Sequence, residues 1–329
     1  MNIFFLCPDE GNKPVGGVLK LYRHVDILNR HGFQASILHE QTGFRCTWFE
    51  NDTRITYASD LTPDMSIDFM VIPEVLTRIS PRVPSGAKKI IFNQNCYYTF
   101  TGASFDPADL NSPYLDPDLL AVLVVSEDSR AYLKHAFPHL TIHRVHNAVD
   151  ETLFEYHPHK KPQIAFMPRK QPRDVMQVIN ILKFRGVLKN FDLAPIENKP
   201  RHEVAAILKD SLVFLSFGYP EGFSLPPAEA MACGCIVIGY HGMGGMEFFK
   251  EEFSYPIPLA ETSAFARTVE EVLELHRGTP EVLMEKARKA SRFIRENYST
   301  RREEEDVLSF WKWILGTGKT DLDTQQSTH

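Results

Sequence analysis

Residues 212–239 constrain the fold more than any other stretch of the chain. Leu212–Ser216 is an apolar run of strand length, and Gly218–Ser224 carries the glycines and proline of a loop. Pro226 opens a helix to Cys233, and Cys235–Gly239 is a second apolar run. Strand, loop, helix and strand form a βαβ unit, so the chain is expected to build a parallel sheet covered on both faces. Ligands of such sheets bind outside the carboxyl ends of the strands, where free N–H groups at a helix start favour an anion.

Two carboxylates, Glu221 and Glu229, stand eight residues apart across this loop and helix. Helical side chains lean toward the helix N-terminus, so Glu229 is expected to point back to the loop mouth that holds Glu221. Two acceptor-only groups facing one cavity suit a ligand rich in hydroxyl donors, such as a ribose and a hexose. The plainer alternative makes Glu221 a solvated loop residue and Glu229 a partner of the positive helix end. The string Glu221-Gly-Phe-Ser-Leu-Pro-Pro-Ala-Glu229, with its flanking strands, resembles the Glu-x7-Glu signature of retaining GT-B glycosyltransferases, family 4 in particular. The resemblance implies that Glu221 faces the donor sugar and Glu229 holds the nucleotide ribose, with Gly222, Phe223, Ser224 and Leu225 in the same donor site.

A chain of 329 residues exceeds the length over which one core keeps growing, so two domains of roughly 150 residues are expected. The net charge of −6 argues against a nucleic-acid partner and leaves attraction of a diphosphate to local cations. No run of about 18 apolar residues is present, so no membrane span is expected. Met1–Cys7 lacks a basic leader and reads as a first strand, from which a cytoplasmic location is expected. Cys233 and Cys235 are too closely spaced for the usual zinc or redox motifs and suit core packing.

The N-terminal half alternates strands (Asn2–Pro8, Phe33–His39, Asp68–Pro73, Lys88–Asn95, Leu119–Ser126, Thr141–Val149) with helices near Val18–His31 and Glu127–Phe137. Gly43–Pro63 has no clear assignment, and Tyr97–Pro117 reads as a long loop. After the basic stretch His157–Pro162 a second series begins. It places strands at Gln163–Met167, Asn190–Ala194 and Ser254–Ile257, and helices at Arg173–Arg185, Arg201–Lys209, Thr262–Arg277 and Pro280–Asn297. The resemblance covers nearly the whole chain. It implies an α/β GT-B architecture of two Rossmann-like domains facing a central cleft: residues 1–155 on the acceptor side, residues 156–299 binding the nucleotide sugar, a helix at 300–316 returning to the first domain, and a disordered tail at 317–329. Val145–Asp150 resembles the family's string closing the first domain, with His146 and Ala148 in place of Pro and Gly.

Gly16-Gly17, after the first strand, lets backbone N–H groups approach a phosphate, and the resemblance places them against the donor diphosphate. Arg169, Lys170 and Arg173 follow the first strand of the second half and resemble the Gly-Arg-x4-Lys element that neutralises the diphosphate. Asp174 stands where that element has Lys, so Lys170 or Arg173 must substitute. His241–Glu247 resembles the family's glycine-rich loop, and its Gly244 and Gly245 amides are expected to face the donor sugar. Asn93-Gln94-Asn95 stands where the family commonly has a first-domain His, which leaves His24 and His146 as candidates for that role. Asp116-x-Asp118 reads as a turn, and no metal is expected.

These readings converge on a retaining, metal-independent hexosyltransferase that needs no cofactor beyond its nucleotide-diphosphate sugar (UDP, GDP, dTDP or ADP). Arg169, Lys170 and Glu221 are its expected catalytic residues. The acceptor is expected to be a carbohydrate or lipid-linked group in bacterial polysaccharide or glycoconjugate synthesis, with peripheral membrane association left open. Two alternatives stand beside it: an inactive glycosyltransferase-like subunit supporting a partner, and a sugar-nucleotide epimerase of the same fold.

Overall fold

The computed structural model describes residues 1–9, 14–62, 64, 67–77 and 86–316; the expected tail at 317–329 lies outside them. Among the described residues, twelve strands form two all-parallel sheets. The first contains β1 (Ile3–Leu6), β2 (Ala35–His39), β3 (Ile55–Tyr57), β4 (Phe69–Pro73), β5 (Lys88–Asn93), β6 (Leu119–Val124) and β7 (Ile142–Arg144) in the order 3-2-1-4-5-6-7. The second contains β8 (Lys161–Phe166), β9 (Asp192–Pro195), β10 (Ser211–Ser216), β11 (Ile236–Gly239) and β12 (Tyr255–Pro256) in the order 12-11-10-8-9. Both are doubly wound. The order reverses between β1 and β4 in the first sheet and between β8 and β10 in the second.

Among the described residues, eight α-helices flank the sheets: α1 (Gly16–Arg30), α2 (Glu127–Ala136), α3 (Pro172–Phe184), α4 (Arg201–Asp210), α5 (Leu225–Ala232), α6 (Thr262–Gly278), α7 (Pro280–Asn297) and α8 (Thr300–Ile314). The central strands β1, β4 and β10 are buried along their whole length, as a sheet covered on both faces requires. α5 is short and apolar nearly all round. Its Ala228, Ala230, Met231 and Ala232 are buried, and small side chains let it sit deep between α4 and α7. Cys233 and Cys235 close this unit as buried free thiols.

One hydrophobic core runs from the first sheet (Phe5, Phe92) through Val149 and Phe154 to the inner face of the second (Phe214, Met231), and takes in Trp311 of α8. α8 lies along α1, and Trp311 meets Phe5 and Phe69. Buried Glu303 of α8 accepts from Lys20 Nζ at 2.6 Å, pairs with Arg23, and accepts the Ala148 N–H at 3.3 Å.

Two sequence expectations shift here. Thr141–Val149 is strand only over Ile142–Arg144, because the backbone beyond it bonds elsewhere: His146 N–H to Asp306 and Val149 N–H to the Tyr298 carbonyl. Within Gly43–Pro63, β3 is a three-residue, half-buried edge strand, too short to leave an apolar run.

Candidate active site

The carboxyl edges of the two sheets face each other at their switch points. Gly16 opens α1 after β1, Glu74 follows β4, Gln94 and Asn95 follow β5, Arg169 and Lys170 follow β8, and Gly218–Ser224 follow β10. The halves touch backbone to backbone. A Cβ built on Gly222 would lie 1.9 Å from the Gln94 carbonyl oxygen, and Asn95 Nδ2 donates to the Pro220 carbonyl at 3.3 Å.

Gly16 and Gly17 are the first two residues of α1, so the helix begins two residues before the expected Val18. Neither N–H has an acceptor among the described residues, as befits a helix start. Both glycines are closely approached: a Cβ on Gly16 would stand 3.1 Å from Leu225 Cδ1, and one on Gly17 3.3 Å from the Gln94 amide, so a side chain there needs its neighbour to give by a few tenths of an ångström.

Across the cleft, Arg169 and Arg173 are exposed, and neither has a hydrogen-bond or ion-pair partner among the described residues. Lys170 pairs with Glu221 at 2.7 Å. Gln171 Nε2 donates to the Tyr219 carbonyl at 3.1 Å, joining the cation loop to the β10 loop. Asp174 accepts from the Tyr240 hydroxyl at 2.7 Å, so the position where the resembling element has Lys is turned into the second half's own packing.

The β10 and β11 loops are zipped together. Glu221 N–H donates to the Gly242 carbonyl at 2.8 Å and Gly244 N–H to the Glu221 carbonyl at 3.0 Å. Gly245 N–H donates to the His241 carbonyl at 3.1 Å. The Gly244 and Gly245 amides are therefore engaged within the loops and not free to face a sugar, which corrects the expectation from sequence. Gly244 is nonetheless fixed as glycine, since a Cβ there would fall 1.9 Å from the Gly222 carbonyl oxygen. Phe223 turns into the core against Phe248 and Tyr298, leaving only its backbone near the cleft. Ser224, left-handed at φ 67°, precedes α5 and ties the two loops by donating Oγ to the His241 carbonyl at 3.1 Å.

Glu229 and Leu225 line a cavity of about 250 Å³ between the halves, together with Lys20, Arg23, Asp150 and Arg201. Glu221 does not line it, so the structure keeps the two carboxylates apart, one in the loop mouth and one in the cavity. Burial pushes the Glu229 carboxyl up to about 7 against the pull of Arg201 and Lys20, with Asp150 adding to the rise.

Neither candidate histidine reaches the cleft. His24 is fully buried and stacked on Phe92, and burial holds it down to about 4. His146 Nδ1 pairs with Asp306 of α8 at 2.6 Å. Asp116 and Asp118 form the expected turn and share Lys89. No group of three His, Cys, Asp or Glu side chains arranged to hold a metal ion occurs among the described residues.

Two carboxylates make contacts that the sequence did not reveal, Glu247 at the end of the glycine-rich loop and Glu74, which sequence reasoning missed. Glu247 joins the halves: it pairs with Arg144, accepts the Glu127 N–H that opens α2 at 3.0 Å, and accepts the Tyr298 hydroxyl at 3.0 Å. Glu74 is buried at the end of β4, where its carboxylate accepts the Gln94 N–H at 3.0 Å. The only signal for Glu74 was an acid directly after an apolar run.

Residues 178–290 match the family model described as Glycosyl transferases group 1. An alpha-1,6-glucosyltransferase of Actinobacillus pleuropneumoniae serotype 7 (strain AP76) is 26% identical over 259 residues, covering 74% of this chain and 73% of its own. The solved sucrose-phosphate synthase of Thermosynechococcus elongatus superposes with a TM-score of 0.71 at 12% identity, over 96% of this chain and 100% of that one. Anabaena Alr3699/HepE, solved with UDP-glucose, gives 0.70 at 12% identity over 95% and 100%. The fold is thus the GT-B fold, and with the matched segment it supports a GT-B glycosyltransferase.

Proposed function

We propose that this chain is a retaining, metal-independent glycosyltransferase that transfers a hexose from a nucleotide-diphosphate sugar, with residues 156–299 holding the donor and residues 1–155 presenting the acceptor. The observation that carries the reading is the placement of two glycine N–H groups at the start of α1, without an acceptor among the described residues, and of the cations after β8, with Glu221 in the adjoining loop. A departing diphosphate gathers charge as the glycosidic bond breaks. Fixed N–H donors and Arg169 stabilise that charge in the water-poor cleft. Glu221 accepts from sugar hydroxyls once Lys170 turns to the phosphate, and the leaving phosphate helps deprotonate the acceptor on the same face.

Among the structural neighbours, HepE was solved with UDP-glucose and a pneumococcal O-GlcNAc transferase, GtfA, with UDP and GlcNAc. These favour a UDP-sugar as the first donor to test. A carbohydrate or lipid-linked acceptor in a bacterial polysaccharide or glycoconjugate, made in the cytoplasm, completes the proposal. Among the described residues no helix is long and apolar enough to cross a membrane.

The test is a thermal-shift series with UDP, GDP, dTDP, ADP and their sugars, with and without EDTA. A rise with one nucleotide that survives EDTA supports the reading. A shift abolished by EDTA overturns metal independence. No shift with any nucleotide favours the second reading, an inactive supporting subunit, whose motivating observation is Asp174 tied to Tyr240.

Two further outcomes are expected. Arg169→Ala lowers kcat/KM for the donor at least about tenfold, and unchanged turnover would remove Arg169 from the mechanism. Nucleotide affinity rises by roughly an order of magnitude from about pH 6 to 8, because ribose hydroxyls donate to the ionised form of Glu229, which becomes the major form above about 7. Calorimetric titration of Glu229→Gln should show this dependence flattened.

A further inference from the structure

We propose that Glu74 is a positioning residue whose carboxylate anchors the Gln94–Asn95 turn, and through that turn aligns the glycine-bearing segments of both halves. Glu74 is 8% exposed, at the carboxyl end of β4 beside the switch point, and no cation pairs with it among the described residues. Its Oε2 accepts the Gln94 N–H at 3.0 Å, while its own carbonyl accepts from Thr77 Oγ1 at 2.9 Å. Burial pushes this carboxyl up to about 7, and backbone N–H groups oppose the rise.

The anchored turn is where the halves meet. Gln94 Nε2 donates to the Gly17 carbonyl at 3.1 Å, which fixes the first turn of α1. The Gln94 carbonyl is the surface on which Gly222 rests, and Asn95 Nδ2 holds the Pro220 carbonyl. Two residues thus touch the loop expected to hold the diphosphate and the loop that carries Glu221. The Asn95 side chain caps the next turn by accepting the Tyr97 N–H at 3.1 Å, and Asn93 and Cys96 are buried, but the Gln94 N–H at the apex takes its acceptor from Glu74. The carboxylate faces backbone N–H groups and not the cleft, so it acts through the turn and not on reacting atoms.

Hydrogen exchange of the full unliganded chain tests this without an assay for activity. Glu74→Ala is expected to speed exchange about tenfold at Gln94–Asn95 and also, at a distance, at Gly16–Lys20 and Pro220–Ser224, with the core strands unchanged. Glu74→Gln keeps the shape and an acceptor oxygen and is expected to restore most of the protection. Glu74→Asp keeps the charge but retracts it by one methylene, and is expected to behave like the alanine variant. Acceleration confined to residues 74–95, uniform acceleration of the whole chain, or a wild-type pattern in Glu74→Asp overturns the proposal.

The consequence for turnover rests on the glycosyltransferase reading, with UDP-glucose as the probe. The alanine variant should lose about tenfold in kcat/KM while still binding UDP, and the glutamine variant should recover most of it. A wild-type chain that neither binds UDP nor consumes UDP-glucose refutes the UDP-glucose reading, while the exchange pattern still decides the role of Glu74.

Discussion

Gly222→Ala is expected to lower turnover by about 100-fold or more while leaving both sheets folded. The added Cβ would lie 1.9 Å from the Gln94 carbonyl oxygen, 2.8 Å from its carbon and 2.9 Å from Asn95 Cα. All three are backbone atoms, so no rotamer change relieves the clash, and the halves must part by on the order of 1 Å. A misplacement of that size costs about 100-fold where catalysis depends on groups converging from two sides. Gly222 does not have a positive φ, so alanine there carries no conformational penalty of its own, and the effect isolates close approach. The measurement is donor kcat/KM beside circular dichroism and UDP affinity. Wild-type turnover would mean that the observed contact between the halves is not the catalytic arrangement.

Glu303→Ala is expected to destabilise the protein by about 3–5 kcal/mol, read from denaturant unfolding. Glu303 is 0% exposed and holds Lys20, itself 3% exposed, together with Arg23 and the Ala148 N–H. Removing the carboxylate leaves a buried ammonium whose remaining acceptor among the described residues is the Ala148 carbonyl. Replacing the pair together, Lys20→Met with Glu303→Leu, should recover most of the loss, since the cost lies in the unpaired charge. Burial alone would raise the Glu303 carboxyl, but Lys20, Arg23 and His24 outweigh it and hold the carboxyl below its ordinary value. Its contribution is therefore present above the unfolded-state pKa and lost as pH falls through the lower folded value. The single variant should accordingly be less sensitive to acid than the wild type. A loss below about 1 kcal/mol would place the bond between α8 and α1 in apolar packing alone.

The parallel architecture was legible because buried parallel strands leave continuous apolar runs, and Leu212–Ser216 and Cys235–Gly239 are close to the observed β10 and β11. β3 left no such run, being short and half-buried. Residue spacing marked the loop that carries Glu221 and the helix that carries Glu229, yet it could not say that Lys170 would occupy Glu221 or that Phe223 would turn inward. Those outcomes depend on neighbours far along the chain, Phe248 and Tyr298 among them. The Gly244 and Gly245 amides were misjudged for a related reason: a glycine-rich string signals close approach without saying whether a ligand or another loop approaches. Here the Gly222 backbone does. Glu74 was missed, and Glu247 was read only as the end of its loop, because what distinguishes them is the N–H group each meets, on β5's turn and at the start of α2.

The pairing of Lys170 with Glu221 bears on selectivity in the proposed site. Each occupies the other in the empty protein: the ammonium stands where sugar hydroxyls would donate, and the carboxylate holds the cation a phosphate would draw. A free anion such as inorganic phosphate must pull Lys170 away and strand Glu221 without a partner, and a free sugar leaves the complementary deficit. A molecule carrying both a diphosphate and a hydroxylated ring satisfies both at once. Under the proposed function the ion pair would work as a two-key lock, in which each half of the donor alone is a poor exchange for what it displaces.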